Sequence, residues 1–225
     1  AASTIADIDG DGRLDLAVAT PRSASMRIVG QTRTGSLVPR DMPAFKDVVQ
    51  IESLPSGRGE PARLLLLSQE EQVIGLARGE SKNAQGMRFP QPLEIEGEPI
   101  AMAVGKLAEG GKPGLVVMAG GEKTLVSAYG LPAKNSTELG EGATLFEIPE
   151  DAGDPESFAM VDLDRDGTLE LIVTFDFESP AVYRRNDKGD MNPCSPKVCW
   201  RGCSKTSMSR TCAKFSCRAR TPPTF

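Results

Sequence analysis

The chain has 225 residues, 39% of them apolar, with 26 basic and 31 acidic side chains, a net charge of −5 and no histidine. Without histidine it builds neither a Ser/His/Asp nor a Cys/His catalytic site, and no histidine-ligated zinc. Every acidic side chain lies in residues 1–190. An acidic body disfavours nucleic acid, whose affinity rests on phosphate neutralisation, and no run of about 18 apolar residues offers a membrane-spanning helix.

The first strand-like run, residues 4–8, enters the loop Asp7-Ile8-Asp9-Gly10-Asp11-Gly12-Arg13-Leu14-Asp15 and leaves it as the apolar run 14–19. Carboxylates at loop positions 1, 3, 5 and 9 (Asp7, Asp9, Asp11, Asp15) suit a hard cation. Calcium takes six to eight oxygens, and a tight turn lets alternate side chains converge. Gly12 supplies the backbone conformation that a residue with a Cβ reaches only at a cost, and Arg13 at position 7 would offer its backbone carbonyl. An EF-hand would need a bidentate Glu at position 12. Val18 stands there, and the flanks read as strand. The metal-free alternative is an ordinary Asp-Gly turn.

The plan then repeats. Apolar runs at 14–19, 63–67, 114–118 and 169–173, aligned at Asp15, Leu64, Gly114 and Glu170, recur about every 50 residues. Each is preceded by a Gly-, Pro- or Asp-rich loop and, before that, by another run, at 4–8, 48–54, 100–107 and 158–163. A third run follows at 26–29, 73–77, 124–129 and 181–184, and a fourth in three units, at 46–49, 91–95 and 144–148. Residues 69–78 have some helical character, but Val73 and Ile74 favour a strand. The middle loops, 53–61 and 106–113, keep turn chemistry with one carboxylate each and are expected to be plain hairpin turns. Gly57-Arg58-Gly59-Glu60-Pro61-Ala62 mimics a dinucleotide fingerprint, yet Pro61 and the leucine run after it point to a turn and strand. Asn135-Ser136-Thr137 is a glycosylation sequon, with meaning only in a secretory host. The last loop, Asp162-Leu163-Asp164-Arg165-Asp166-Gly167-Thr168-Leu169-Glu170, restores the acids of the first, with Thr168 as the backbone-carbonyl position.

Four short strands per unit of about 50 residues match one propeller blade, with the second strand apolar on both faces as in the middle of a blade. The expected fold is all-β: blades of four antiparallel strands, about three and a half in number because the last unit stops after its third strand. The pairing of ADIDGDGRLDLAVA with MVDLDRDGTLELIV at blade spacing resembles the FG-GAP/VCBS repeats of integrin α-subunit heads and bacterial secreted proteins. The resemblance spans about residues 1–186. It implies part of a seven-bladed propeller, and calcium held by the loop between a blade's first two strands. Carried over, Asp7, Asp9, Asp11 and Asp15 would hold one ion and Asp162, Asp164, Asp166 and Glu170 a second. Glu170 departs from the usual Asp at that position.

Residues 1–187 form the expected propeller body and 188–225 a cysteine-rich basic tail. All five cysteines lie there, Cys194, Cys199, Cys203, Cys212 and Cys217. An odd number leaves one over in a disulfide module, the spacings lack the CxxC pairs of a zinc site, and the expectation is a disordered extension. Functionally the sequence points to a calcium-stabilised binding or adhesion scaffold without catalysis, in an extracellular, periplasmic or cell-surface setting. Its ligand would be a protein or polysaccharide, with the remaining blades as further partners. The alternative is a polysaccharide-active lyase or hydrolase, or its substrate-binding part, using paired carboxylates. Against that, the body offers few aromatic platforms: Tyr129, Tyr183 and its phenylalanines.

Overall fold

In the computed structural model, residues 2–20, 22–54, 56–57, 59–79, 87–106, 111–165, 167–186 and 191–194 are described. Among them the chain is all strand and turn, apart from one turn of 3-10 helix at Glu150–Ala152. The first sheet is β1 (Ser3–Ala6), β2 (Asp15–Ala19), β3 (Ser25–Gln31) and β4 (Leu37–Pro43). The second is β5 (Val48–Leu54), β6 (Arg63–Ser68), β7 (Val73–Arg78) and β8 (Gln91–Pro92). The third is β9 (Glu98–Gly105), β10 (Gly114–Gly120), β11 (Thr124–Gly130) and β12 (Gly142–Ile148). The fourth is β13 (Pro155–Val161), β14 (Glu170–Phe175), β15 (Ala181–Arg185) and β16 (Met191–Pro193). In each sheet spatial order equals chain order and every pairing is antiparallel, the plan of a propeller blade.

Packing between sheets explains the apolar runs. Leu64 and Leu66 of β6 point to a cluster with Ala17, Ala19, Met26 and Ile28 of the first sheet. Leu65 and Leu67 point the other way, to Met102, Leu115 and Val117 of the third. Val116 and Met118 in turn meet Phe158, Leu171 and Val173 of the fourth. Successive side chains on a strand face opposite sides, so a strand sandwiched between two neighbouring sheets must be apolar at every position.

Three expectations are corrected. The outer strand of the first unit is Leu37–Pro43, not residues 46–49, and Val48 already belongs to β5. Pro39, Pro43 and the charged pair Arg40-Asp41 hid that strand. An exposed edge strand tolerates such residues because its outward N–H groups need no partner. The fourth sheet is not half complete. Met191–Pro193 pairs with β15 as its outer strand, and Cys194 N donates to Val182 O at 2.7 Å, so four full blades replace three and a half. Finally, the second unit aligns with the others at Arg63, where its second strand begins, and not at Leu64. Arg63 stands opposite Leu54, just as Asp15 stands opposite Ala6, Gly114 opposite Gly105 and Glu170 opposite Val161. The compact unit runs Ala1–Cys194. The reading of the tail falls, apart from residues 191–194, outside the described residues.

Candidate metal centre

Each acidic loop joins the first two strands of its sheet, and its carboxylates first organise the loop itself. Asp7 accepts from Gly10 N at 2.8 Å and Gly12 N at 2.9 Å, and Asp9 accepts from Asp11 N at 3.1 Å. These bonds wrap the backbone around the side chains, with Gly12 at φ +87°, a region that favours glycine. Asp15, at the head of β2, is 4% exposed and accepts from Ile8 N at 3.0 Å and Gln31 N at 3.1 Å. It thereby pins the loop to the sheet. Burial, and then the neighbouring carboxylates of Asp9 and Asp7, push its carboxyl above the usual range, against the pull of the two backbone N–H groups.

One carboxylate oxygen from each of Asp7, Asp9 and Asp15 lies within 4.8 Å of the others. Asp11 is outside that group. It accepts from Arg13 N at 2.9 Å and pairs with the Arg13 guanidinium, whose Nε donates to Gln31 O at 2.9 Å. The seventh residue thus straps the loop with its side chain. A cavity of about 280 Å³ opens beside it, lined by Asp9, Asp11, Arg13, Asp15, Gln31 and Arg40 among others.

The last loop follows the same plan. Asp162 accepts from Gly167 N at 3.1 Å, with Gly167 at φ +87°. Glu170, 2% exposed at the head of β14, accepts from Leu163 N at 2.8 Å, which is the Asp15–Ile8 bond repeated with a longer arm. Asp162, Asp164 and Glu170 bring their oxygens within 4.8 Å of one another. Asp166 lies outside the described residues. Thr168 holds the seventh position of this loop.

Sequence reasoning missed Arg184. It stands across from Glu170 on β15, next to the Leu171–Tyr183 pair, and its Nε lies 3.1 Å from Glu170 Oε1 while its Nη2 pairs with Asp164. In the first sheet the corresponding residue is Gly30, 3.6 Å from Asp15 Oδ1 when given a Cβ. A basic residue late in the third run was the only hint of this difference in the sequence.

The donor sets fit a hard divalent cation: clustered carboxylates on a wrapped loop, with a buried carboxylate behind them. The first site presents this with no cation of its own among the three oxygens' residues, whereas the last already holds a guanidinium. The middle loops differ. Arg63 and Gly114 stand where Asp15 and Glu170 would, and among their described residues no acidic group clusters.

Comparison with curated proteins finds no match. Residues 1–38, which cover β1–β3 and the start of β4, match the family model of the FG-GAP repeat. The chain therefore carries an FG-GAP repeat, a propeller repeat, in its first sheet, and its other three sheets follow the same propeller-like blade plan.

Proposed function

We propose that this protein is a calcium-stabilised, non-catalytic β-propeller scaffold that works outside the cytoplasm and presents a surface to a protein or polysaccharide ligand. The convergence of Asp7, Asp9 and Asp15 within 4.8 Å carries the reading. Unscreened by a cation, three carboxylates at that spacing repel one another. Calcium would make the loop a rigid corner between β1 and β2, with the Arg13 and Thr168 carbonyls as further donors in their loops. Sites of this kind in extracellular modules bind at about 0.1–1 mM, a range that suits a secreted or cell-surface protein. The four sheets would then be part of a larger propeller of about seven blades, further blades packing on the end sheets.

Titration of the full chain with calcium, followed by calorimetry and thermal melting, tests the proposal. Two binding events are expected, one removed by Asp9→Ala and the other by Asp164→Ala, with magnesium much less effective because it demands tighter octahedral geometry. Stability should rise by about 2.7 kcal/mol per site at 100 times the dissociation constant. No heat and no change in melting at several millimolar calcium would leave both loops as ordinary turns.

A further inference from the structure

The position that carries the buried carboxylate in the two acidic loops carries the opposite charge in the second sheet. Arg63 heads β6 and is paired directly across the ladder with Arg78 of β7. Like charges directly opposite one another destabilise a sheet, so the pair needs an explanation. Arg63 has one: its Nη1 donates to Pro132 O at 2.8 Å and Ala133 O at 3.1 Å, tying in the loop that follows β11. Its guanidinium is nonetheless held below its usual pKa, first by burial and then by the charge of Arg78. Arg78 has none. Its Nε and Nη2 are both buried and have no hydrogen-bond partner among the described residues. Those two N–H groups form the edge with which arginine grips a carboxylate, sulfate or phosphate through two parallel bonds. In this chain Arg27 uses the same edge on Asp41, at 2.7 and 2.9 Å.

Arg63 and Arg78 line a pocket of about 410 Å³ together with Glu60, Pro61, Lys134 and Asn135. The one carboxylate among its described lining, Glu60, is taken by Lys134 at 2.6 Å. The described lining therefore holds three cations against one anion, and one of the cationic groups, Arg78, has two buried N–H atoms without a partner. We propose that this corner of the second sheet is an oxyanion site, taking a sulfate-like group on Arg78 and Arg63 with Lys134 at its rim. The ligand's chemistry is an oxyanion, either free in solution or carried on an acidic polysaccharide. The site shares no residue with the acidic loops, although Pro61 of its lining packs against Gly10 of the first.

Calorimetry of the full chain with sodium sulfate, balanced against sodium chloride at constant ionic strength, tests the site, with dextran sulfate as a second probe. Saturable sulfate binding is expected, weakened at least about tenfold in Arg78→Met, because charge-assisted bonds to a buried group are lost. Lys134→Gln should weaken it less, as a rim charge. Without sulfate, Arg78→Met should melt no lower than the parent, because the substitution removes a buried charge that has no partner. A fall in binding therefore does not report unfolding. Tighter binding per sulfate group on the polymer assigns the ligand to a polysaccharide, and equal binding assigns it to the free anion. Absence of saturable binding, or binding of unchanged strength in Arg78→Met, overturns the proposal. Sulfate also stabilises proteins by exclusion from their surface, and a rise in melting shared equally by parent and variant would be that effect alone.

Discussion

Arg184 sets the two acidic loops apart. Its guanidinium already pairs with both Asp164 and Glu170, while Gly30 places no side chain on the corresponding side of Asp15. An incoming cation must displace Arg184, so calcium is expected to bind the last loop more weakly than the first. Arg184→Met should tighten the weaker site roughly tenfold, the partial exposure of the pair limiting the gain, and should lower melting in the absence of calcium. Equal affinities in the parent, or no change in the variant, would count against that assignment. The motif residues were legible because a wrapped loop makes alternate carboxylates converge. What the motif did not show is set by partners. Asp11 is drawn off by Arg13 two residues away, and Arg184 reaches Glu170 only through the register of β14 and β15.

At the scale of single strands, burial on two faces was readable and exposure on two faces was not. The run Leu64-Leu65-Leu66-Leu67 is fully buried and stood out as a blade's inner strand. β4, exposed along almost all its length, carries no periodicity and was misplaced. Leu65→Ala and Leu66→Ala should each cost about 2–5 kcal/mol, as a cavity opens toward the third or the first sheet respectively. Leu37→Ala on the edge strand, 66% exposed, should stay within about 0.5 kcal/mol in urea unfolding. A second test concerns β5. Burial pushes the half-buried Glu52 carboxyl above its usual pKa, partly offset by a bond from the Gln50 side chain at 3.3 Å. The folded-state value is thus above the unfolded one, and the native state holds the proton more tightly. The ionised group costs stability at neutral pH, and that cost disappears as the pH falls through the folded-state pKa toward the ordinary glutamate value. Glu52→Gln should therefore raise stability at pH 7 relative to the parent and remove the advantage in mildly acidic solution. A constant difference across that range would show that Glu52 is not the group responsible.

For the whole body, the logic of stacked sheets makes the two end faces the decisive surfaces. Leu64, Leu115 and Leu171 occupy one equivalent position in the second, third and fourth sheets and are fully buried against the sheet before. Their counterpart in the first sheet, Leu16, is 37% exposed and sits in a cross-strand row with Ile5, 62% exposed, and Val29. At the other end, Ile172 lies in a row with Ala159 and Val182 and is only half-buried, where Ala17, Leu65 and Val116 are buried completely. No cluster of buried side chains among the described residues joins the fourth sheet to the first. Each contact between consecutive sheets is head-to-tail, so the trailing face of the fourth sheet has the same layout as the face that receives the first sheet's successor. Heterologous surfaces of that kind build rings or open chains, and contiguous apolar patches mark association sites. The chain by itself is therefore expected to self-associate as its concentration rises, through the Leu16 face of one copy and the Ile172 face of another. Sedimentation of the parent, Leu16→Glu and Ile172→Glu over a range of concentrations checks this. Both variants should shift toward monomer with little loss of stability, since neither position is part of a buried cluster. A parent that stays monomeric at every concentration would mean that the end faces tolerate water, and association unaltered by either variant would place the contact elsewhere.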